Sequence, residues 1–121
     1  MKFTNLLFWV QENKLSEKFY KKLGFEITQS TDEFTVVRLG DFQITLVTMR
    51  DEDPFTNDSM SGDKGRGVYI YLAVNDVDGE YQRQLSIGLK PYTQPKDWEW
   101  GNREFVLKDP DDYKLIFYAK I

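Results

Sequence analysis

The sequence predicts an α+β fold of two tandem βαβββ modules within a single domain of 121 residues. Three observations carry this reading. Each half opens on a short apolar strand, "FTNLLFWV" from residue 3 and "GVYIYLAV" from residue 67. Each opening strand runs into one helical pattern that stops at a glycine, Gly24 or Gly88. Each helix is then followed by three strand-like runs, so the element order of the first half returns in the second.

The first strand, residues 3 to 10, is apolar at nearly every position, as expected of a strand covered on both faces. A helix is predicted from Asn13 to Leu23, with Asn13 as N-cap and Leu15, Phe19, Tyr20 and Leu23 on one face. Lys21 and Lys22 complement the negative C-terminal end, and Gly24 stops the helix in a left-handed conformation. Strands follow at "GFEITQS" from 24, "EFTVVRL" from 33 and "FQITLVTM" from 42, divided by "TD" and "GD" turns, which closes module one at about residue 49. The polar, acidic stretch "RDEDPFTNDSMSGDKGRG" is a linker over about residues 50–66.

Module two, residues 67–121, opens on its strand and continues with a helix from Asp76 to Ile87 that carries Asp78 and Glu80 in its first turn. A short strand "LKPYTQ", a loop containing "KDWEWGN", a strand "REFVLKD", a turn "PDD" and a strand "YKLIFYAK" complete it. "FYKKLGFEI" from 19 and "YQRQLSIGLKPY" from 81 each hold an aromatic, a leucine four residues on, and a glycine at the helix end.

Composition excludes several function classes. With 40% hydrophobic, 30% charged and 16% aromatic residues, the chain reads as a folded domain, neither disordered nor membrane-embedded. No apolar run approaches a membrane span, and "MKFTNLLFWVQENK" lacks the small-residue site of a secretory signal. Zero cysteines remove disulfides, thiolate ligands and a cysteine nucleophile, and make the cytoplasm the default location. The net charge of −4 and the absence of a basic stripe argue against nucleic acid and favour neutral or cationic ligands. Zero histidines exclude a Ser-His-Asp triad and any metal site built on imidazole.

Three stretches, "LLFWVQENKLSEKFYKKLGFEI", "GVYIYLAVNDVDGEY" and "WGNREFVLKDPDDYKLIFY", resemble the vicinal oxygen chelate superfamily of glyoxalase I, ring-cleaving dioxygenases and bleomycin resistance proteins. "FYxxLGF" followed about eighty residues later by "DPDxYxL" is the more specific part; the glycine usual in the final turn is Asp112 here. The resemblance implies curled mixed sheets forming a concave cup, with the helices on the convex side. Strand alternation then sends Leu6, Phe8, Val10, Val68, Ile70, Leu72, Val74, Leu115, Phe117 and Ala119 to the core. Asn5, Leu7, Trp9, Gln43, Thr45, Val47, Tyr69, Tyr71, Ala73, Lys114, Ile116 and Tyr118 face the cup.

Metal-dependent relatives place four ligands, usually His, Glu or Gln, at positions that correspond to Asn5, Thr45, Tyr69 and Ile116. None is a strong ligand and isoleucine cannot coordinate, so the resemblance implies no metal and no cofactor. Asp97, Glu99, Glu104 and Asp109 are placed near the cup rim and read as scattered surface acids. "NDVDGE" and "DPDD" miss the calcium-loop pattern, with Val74 and Leu85 at two required acidic positions; a helix cap and a turn explain them.

The candidate ligand-binding set is therefore Asn5, Trp9, Thr45, Tyr69, Tyr71, Trp98, Trp100, Lys114, Ile116 and Tyr118, with Trp98 and Trp100 on an overhanging loop. Any one of these aromatics would serve equally in a core or a dimer interface; the group points to an aromatic or cationic organic ligand. Trp100-Gly101 matches a pair found before the seventh strand of bleomycin resistance proteins. The first expectation is a metal-free, small-molecule-binding homodimer that sequesters a drug-like compound and confers drug tolerance. The alternative is a metal-independent lyase, isomerase or hydrolase using Tyr69 as acid, Lys114 as electrostatic stabiliser and Glu104 as base. A scaffold without a small ligand is the third.

Overall fold

A computed structural model of the chain describes residues 1–49 and 64–121, which cluster into two compact units, Met1–Lys64 and Gly65–Ile121. Most of the predicted linker, residues 50–63, lies outside the described residues. Among the described residues, each unit is one helix on a four-stranded mixed sheet, and neither sheet closes into a barrel.

In the first unit, β1 (Leu6–Val10), α1 (Asn13–Leu23), β2 (Glu26–Ser30), β3 (Phe34–Leu39) and β4 (Phe42–Thr48) give the sheet order β1-β4-β3-β2. β1 runs parallel to β4 and the other pairs are antiparallel. Alternation sends Phe8, Val10, Val37, Ile44 and Leu46 under α1, where Tyr20 and Leu23 meet them, while Leu7 on the opposite face stays half exposed at 50%. Tyr20 meets Phe25 edge to face with ring centroids 5.1 Å apart, which fixes the exit from the helix. Gly24 ends α1 at φ 124, a left-handed value that a side chain would strain.

Two expectations about α1 are corrected. Asn13 is not the N-cap; that position is Glu12, whose side chain makes no capping bond. Asn13 is instead buried in the first turn, where its Nδ2 donates to Thr31 O and Thr35 Oγ1, both at 3.0 Å, and its Oδ1 accepts from Thr48 Oγ1 at 2.6 Å. Leu15 is half exposed because the buried stripe is Asn13, Ser16, Tyr20 and Leu23; the threonines of β3 and β4 supply partners that make polar residues the better fit there.

The second unit repeats the design with β5 (Tyr69–Ala73), α2 (Val77–Ser86), β6 (Lys96–Asp97), β7 (Asn102–Lys108) and β8 (Lys114–Lys120), in the order β5-β8-β7-β6. Asp76 caps α2 by accepting the Gly79 N–H at 3.0 Å. Beneath α2, Tyr81 meets Phe105 edge to face at 5.3 Å, and Phe105 stacks on Phe117 at 5.1 Å. Leu107 and Leu115 complete a core that excludes water.

Two details differ from expectation, and a third agrees with it. Residues 89–94 form no strand; the edge strand is only Lys96–Asp97. Pro91 and Pro95 remove ladder donors on either side, so the segment holds to β7 through Tyr92 N–H and Thr93 N–H, both donating to Val106 O, at 2.7 and 3.3 Å. Val68 is 52% exposed because it lies between the turn over residues 64–67 and the start of β5, and Ile70, Leu72 and Val74 are half-buried rather than fully buried. "DPDD" is a turn: Asp109 Oδ1 accepts from the Asp111 and Tyr113 N–H groups at 2.8 and 3.0 Å, and Asp112 adopts φ 67.

Candidate ligand pocket

The face of the second sheet away from α2 is organised around β8. With Leu115 and Phe117 turned to the core, Lys114, Ile116 and Tyr118 take the other face. Register aligns Tyr71, Ile116 and Val106 in one row across β5, β8 and β7, and Ala73, Tyr118, Glu104 and Lys96 in the next. Tyr71 and Tyr118 meet edge to face at 5.4 Å.

One wall above this floor is the hairpin between β6 and β7. Its turn is tight: Trp98 N–H donates to Asn102 O at 2.8 Å and Gly101 N–H to Trp98 O at 3.0 Å, with Gly101 at φ 94. Trp98 and Trp100, two residues apart, thereby stack with ring centroids 4.6 Å apart and planes within 10°. The Lys96 ammonium lies 3.8 Å from the Trp98 ring centroid. The other wall is the irregular segment Thr93, Gln94 and Pro95, and the space enclosed with Tyr69, Tyr71, Glu104 and Ile116 is about 680 Å³.

Glu104 is the polar centre of the cavity. Its side chain belongs to a residue only 6% exposed, and its Oε2 accepts from Trp100 Nε1 at 3.2 Å and Asn102 Nδ2 at 3.0 Å. Burial first, and then the charge and hydrogen bonding of the Glu104 carboxylate, push the Tyr71 phenol above the ordinary tyrosine range.

The structure brings five of the sequence-predicted site residues, Tyr69, Tyr71, Trp98, Trp100 and Ile116, around this one cavity. Tyr118 supports Tyr71, and the Lys114 ammonium sits 5.9 Å from the Tyr69 ring centroid on the same face. Asn5, Trp9 and Thr45 belong to the first unit, where Asn5 Nδ2 donates to Thr45 Oγ1 at 3.0 Å and Trp9 is half-buried on β1. The four acids placed near the rim have separate roles. Asp97 and Asp78 both pair with Arg103 at 2.9 Å on the helix side, Asp109 builds its turn, Glu99 is exposed, and Glu104 is the buried floor of the cavity. The alternation of "NREFVLK" signalled the face of Glu104 but not its burial, since Glu104 and Val106 share the face opposite Phe105 and Leu107.

The donors do not fit a transition metal. Of the four positions that correspond to ligands in metal-dependent relatives, Ile116 offers only carbon, and Asn5 and Thr45 satisfy each other. Among the described residues, no group of three or more His, Cys, Asp or Glu could hold an ion. No helix among them is long and apolar enough to cross a membrane.

The chain is similar to known proteins over nearly its whole length. A bleomycin resistance protein of Geobacillus stearothermophilus is 30% identical over 122 aligned positions, covering 93% of this chain and 92% of the relative. One from Staphylococcus aureus matches to the same extent. The crystal structure of a glyoxalase/bleomycin resistance protein/dioxygenase from Nocardioides superposes with a TM-score of 0.85 at 20% identity, covering 100% of this chain and 84% of that one. A bleomycin-binding protein complexed with bleomycin superposes with a TM-score of 0.69 at 20% identity, covering 100% of both chains. The family profile matches residues 3–117, and the chain thus belongs to the Glyoxalase/Bleomycin resistance protein/Dioxygenase superfamily.

Proposed function

We propose that this chain is a metal-free binding protein that sequesters a small organic molecule bearing a flat ring system and releases it unchanged. The observation that carries the reading is the parallel Trp98–Trp100 pair beside Tyr69 and Tyr71 in a cavity of about 680 Å³. That volume lies within the range of roughly 300–1,000 Å³ that suits drug-sized molecules. Offset or edge-on contact with such rings contributes about 0.5–1.5 kcal/mol per pair beyond buried area.

The chemistry available to the pocket supports binding over turnover. The Tyr71 phenol holds its proton more firmly than an ordinary tyrosine, which makes it a poor acid near neutral pH. The whole chain has no histidine or cysteine to act as a shuttle or nucleophile. Relatives named as bleomycin resistance proteins, and a structural neighbour that binds bleomycin, support a drug-like ligand and a role in drug tolerance. The absence of cysteines favours a cytoplasmic location, and the family resemblance favours a homodimer. One observation favours a metal-independent enzyme as the second reading: the Glu104 carboxylate is buried beside the Tyr71 phenol.

Calorimetric titration with bleomycin and a panel of planar aromatic compounds, with mass analysis of the recovered compound, tests the proposal. Saturable binding with the compound intact supports sequestration. Conversion to product supports the enzyme, and no binding by any compound removes both readings.

A further inference from the structure

We propose that Glu104 selects a ligand whose ring system carries an N–H-bearing cation, such as a protonated amine, amidine or guanidine. The inference rests on the ring-binding reading of the same pocket and adds the class of polar group that the pocket recognises.

Glu104 is a carboxylate on a residue only 6% exposed, and among the described residues no Lys or Arg forms an ion pair with it. Its cross-strand neighbour Lys96 lays its ammonium on the Trp98 ring instead. Both fixed donors, Trp100 Nε1 and Asn102 Nδ2, converge on Oε2. Oε1 accepts from neither of them, so the carboxylate retains acceptor capacity even with the Tyr71 phenol hydrogen bonding to it. Burying a charge without a counter-ion costs several kcal/mol, and a ligand cation that donates to it offsets that cost with a charge-assisted hydrogen bond.

Direction matters as much as sign. Trp100 and Asn102 hold the carboxylate in one orientation, so a cation that presents N–H gains a bond that a methylated quaternary ammonium cannot form. Lys96 does not cancel this preference, because it is exposed and screened by water, whereas Glu104 acts from a buried position.

Three probes of nearly equal ring area separate the terms: β-naphthamidine, neutral β-naphthamide and trimethyl(naphthylmethyl)ammonium. Their dissociation constants are measured by calorimetry on the wild-type chain and on Glu104→Gln, which keeps an oxygen acceptor for Trp100 and Asn102. The expected result is that the amidine binds about tenfold or more tightly than either other probe. Glu104→Gln removes that preference. Equal binding of amidine and amide overturns the role of Glu104 and leaves the ring-binding reading standing. Equal binding of amidine and trimethylammonium overturns the directed bond, and no saturable binding of any probe overturns both readings. The ranking on wild-type protein decides the matter even if the variant folds poorly.

Discussion

Asp112 holds φ 67 in the β7–β8 turn without the glycine that such a turn favours. A left-handed residue with a Cβ is disfavoured by roughly 1–2 kcal/mol, less for Asp, and glycine returns part of that gain through unfolded-state entropy. Asp112→Gly is therefore expected to stabilise the fold by about 0.5 kcal/mol, raising the thermal midpoint by about 2 °C in a calorimetric melt. Tyr71 supports a second residue-level prediction. Its pKa is raised above the unfolded value, so the folded state keeps the proton while the unfolded state loses it, and stability falls as pH rises from the ordinary tyrosine pKa through the folded one. Glu104→Gln removes the secondary cause and leaves burial, so ultraviolet titration is expected to show a late-ionising tyrosine moving part of the way back. The turn at "PDD" and the alternation that puts Lys114, Ile116 and Tyr118 on one face of β8 were legible in the sequence, because turn chemistry and strand alternation are local rules. The burial of Glu104 was not, because it depends on how β6 and its hairpin fold back over β7.

At the scale of elements, the ends of α1 show what local pattern can and cannot reveal. The span Asn13–Leu23 was readable from Gly24, the terminal lysines and the apolar spacing. The role of Asn13 was not, since its partners Thr31, Thr35 and Thr48 lie 18 to 35 residues away in sequence. Asn13→Ala leaves those threonines short of bonds inside the module and is expected to cost about 2–3 kcal/mol in a urea denaturation experiment. At α2 the cap was legible, because Asp76 precedes the helix with Gly79 three residues on. Asp76→Ala removes that one bond and is expected to cost about 1 kcal/mol. The edge strand was misplaced for a physical reason: "LKPYTQ" has strand-like composition, but Pro91 and Pro95 interrupt its donors and leave pairing only to Lys96 and Asp97.

Across the whole molecule, the repeated βαβββ order was legible because it depends on periodicity and turn chemistry recurring in both halves. The lining of the cavity was legible only in part. Alternation along β5 and β8 found Tyr69, Tyr71 and Ile116, whereas the parallel stacking of Trp98 on Trp100 follows from a hairpin turn closed at Gly101. Trp100 is 55% exposed, so Trp100→Ala is expected to remove the proposed ligand contact while the chain still folds. Its melting point is expected to correspond to a loss of about 1–2 kcal/mol, because Glu104 loses one of its two donors and Trp98 its stacking partner. Ligand affinity is expected to fall about tenfold or more, as for an aromatic hot spot. Native mass spectrometry of protein purified gently from cells tests the central claim most directly, because it weighs subunits, metal and any small adduct together. A discrete organic adduct without metal is expected on the wild-type chain and is lost from folded Trp100→Ala; stoichiometric zinc, nickel or iron on the wild-type chain would overturn metal-free sequestration.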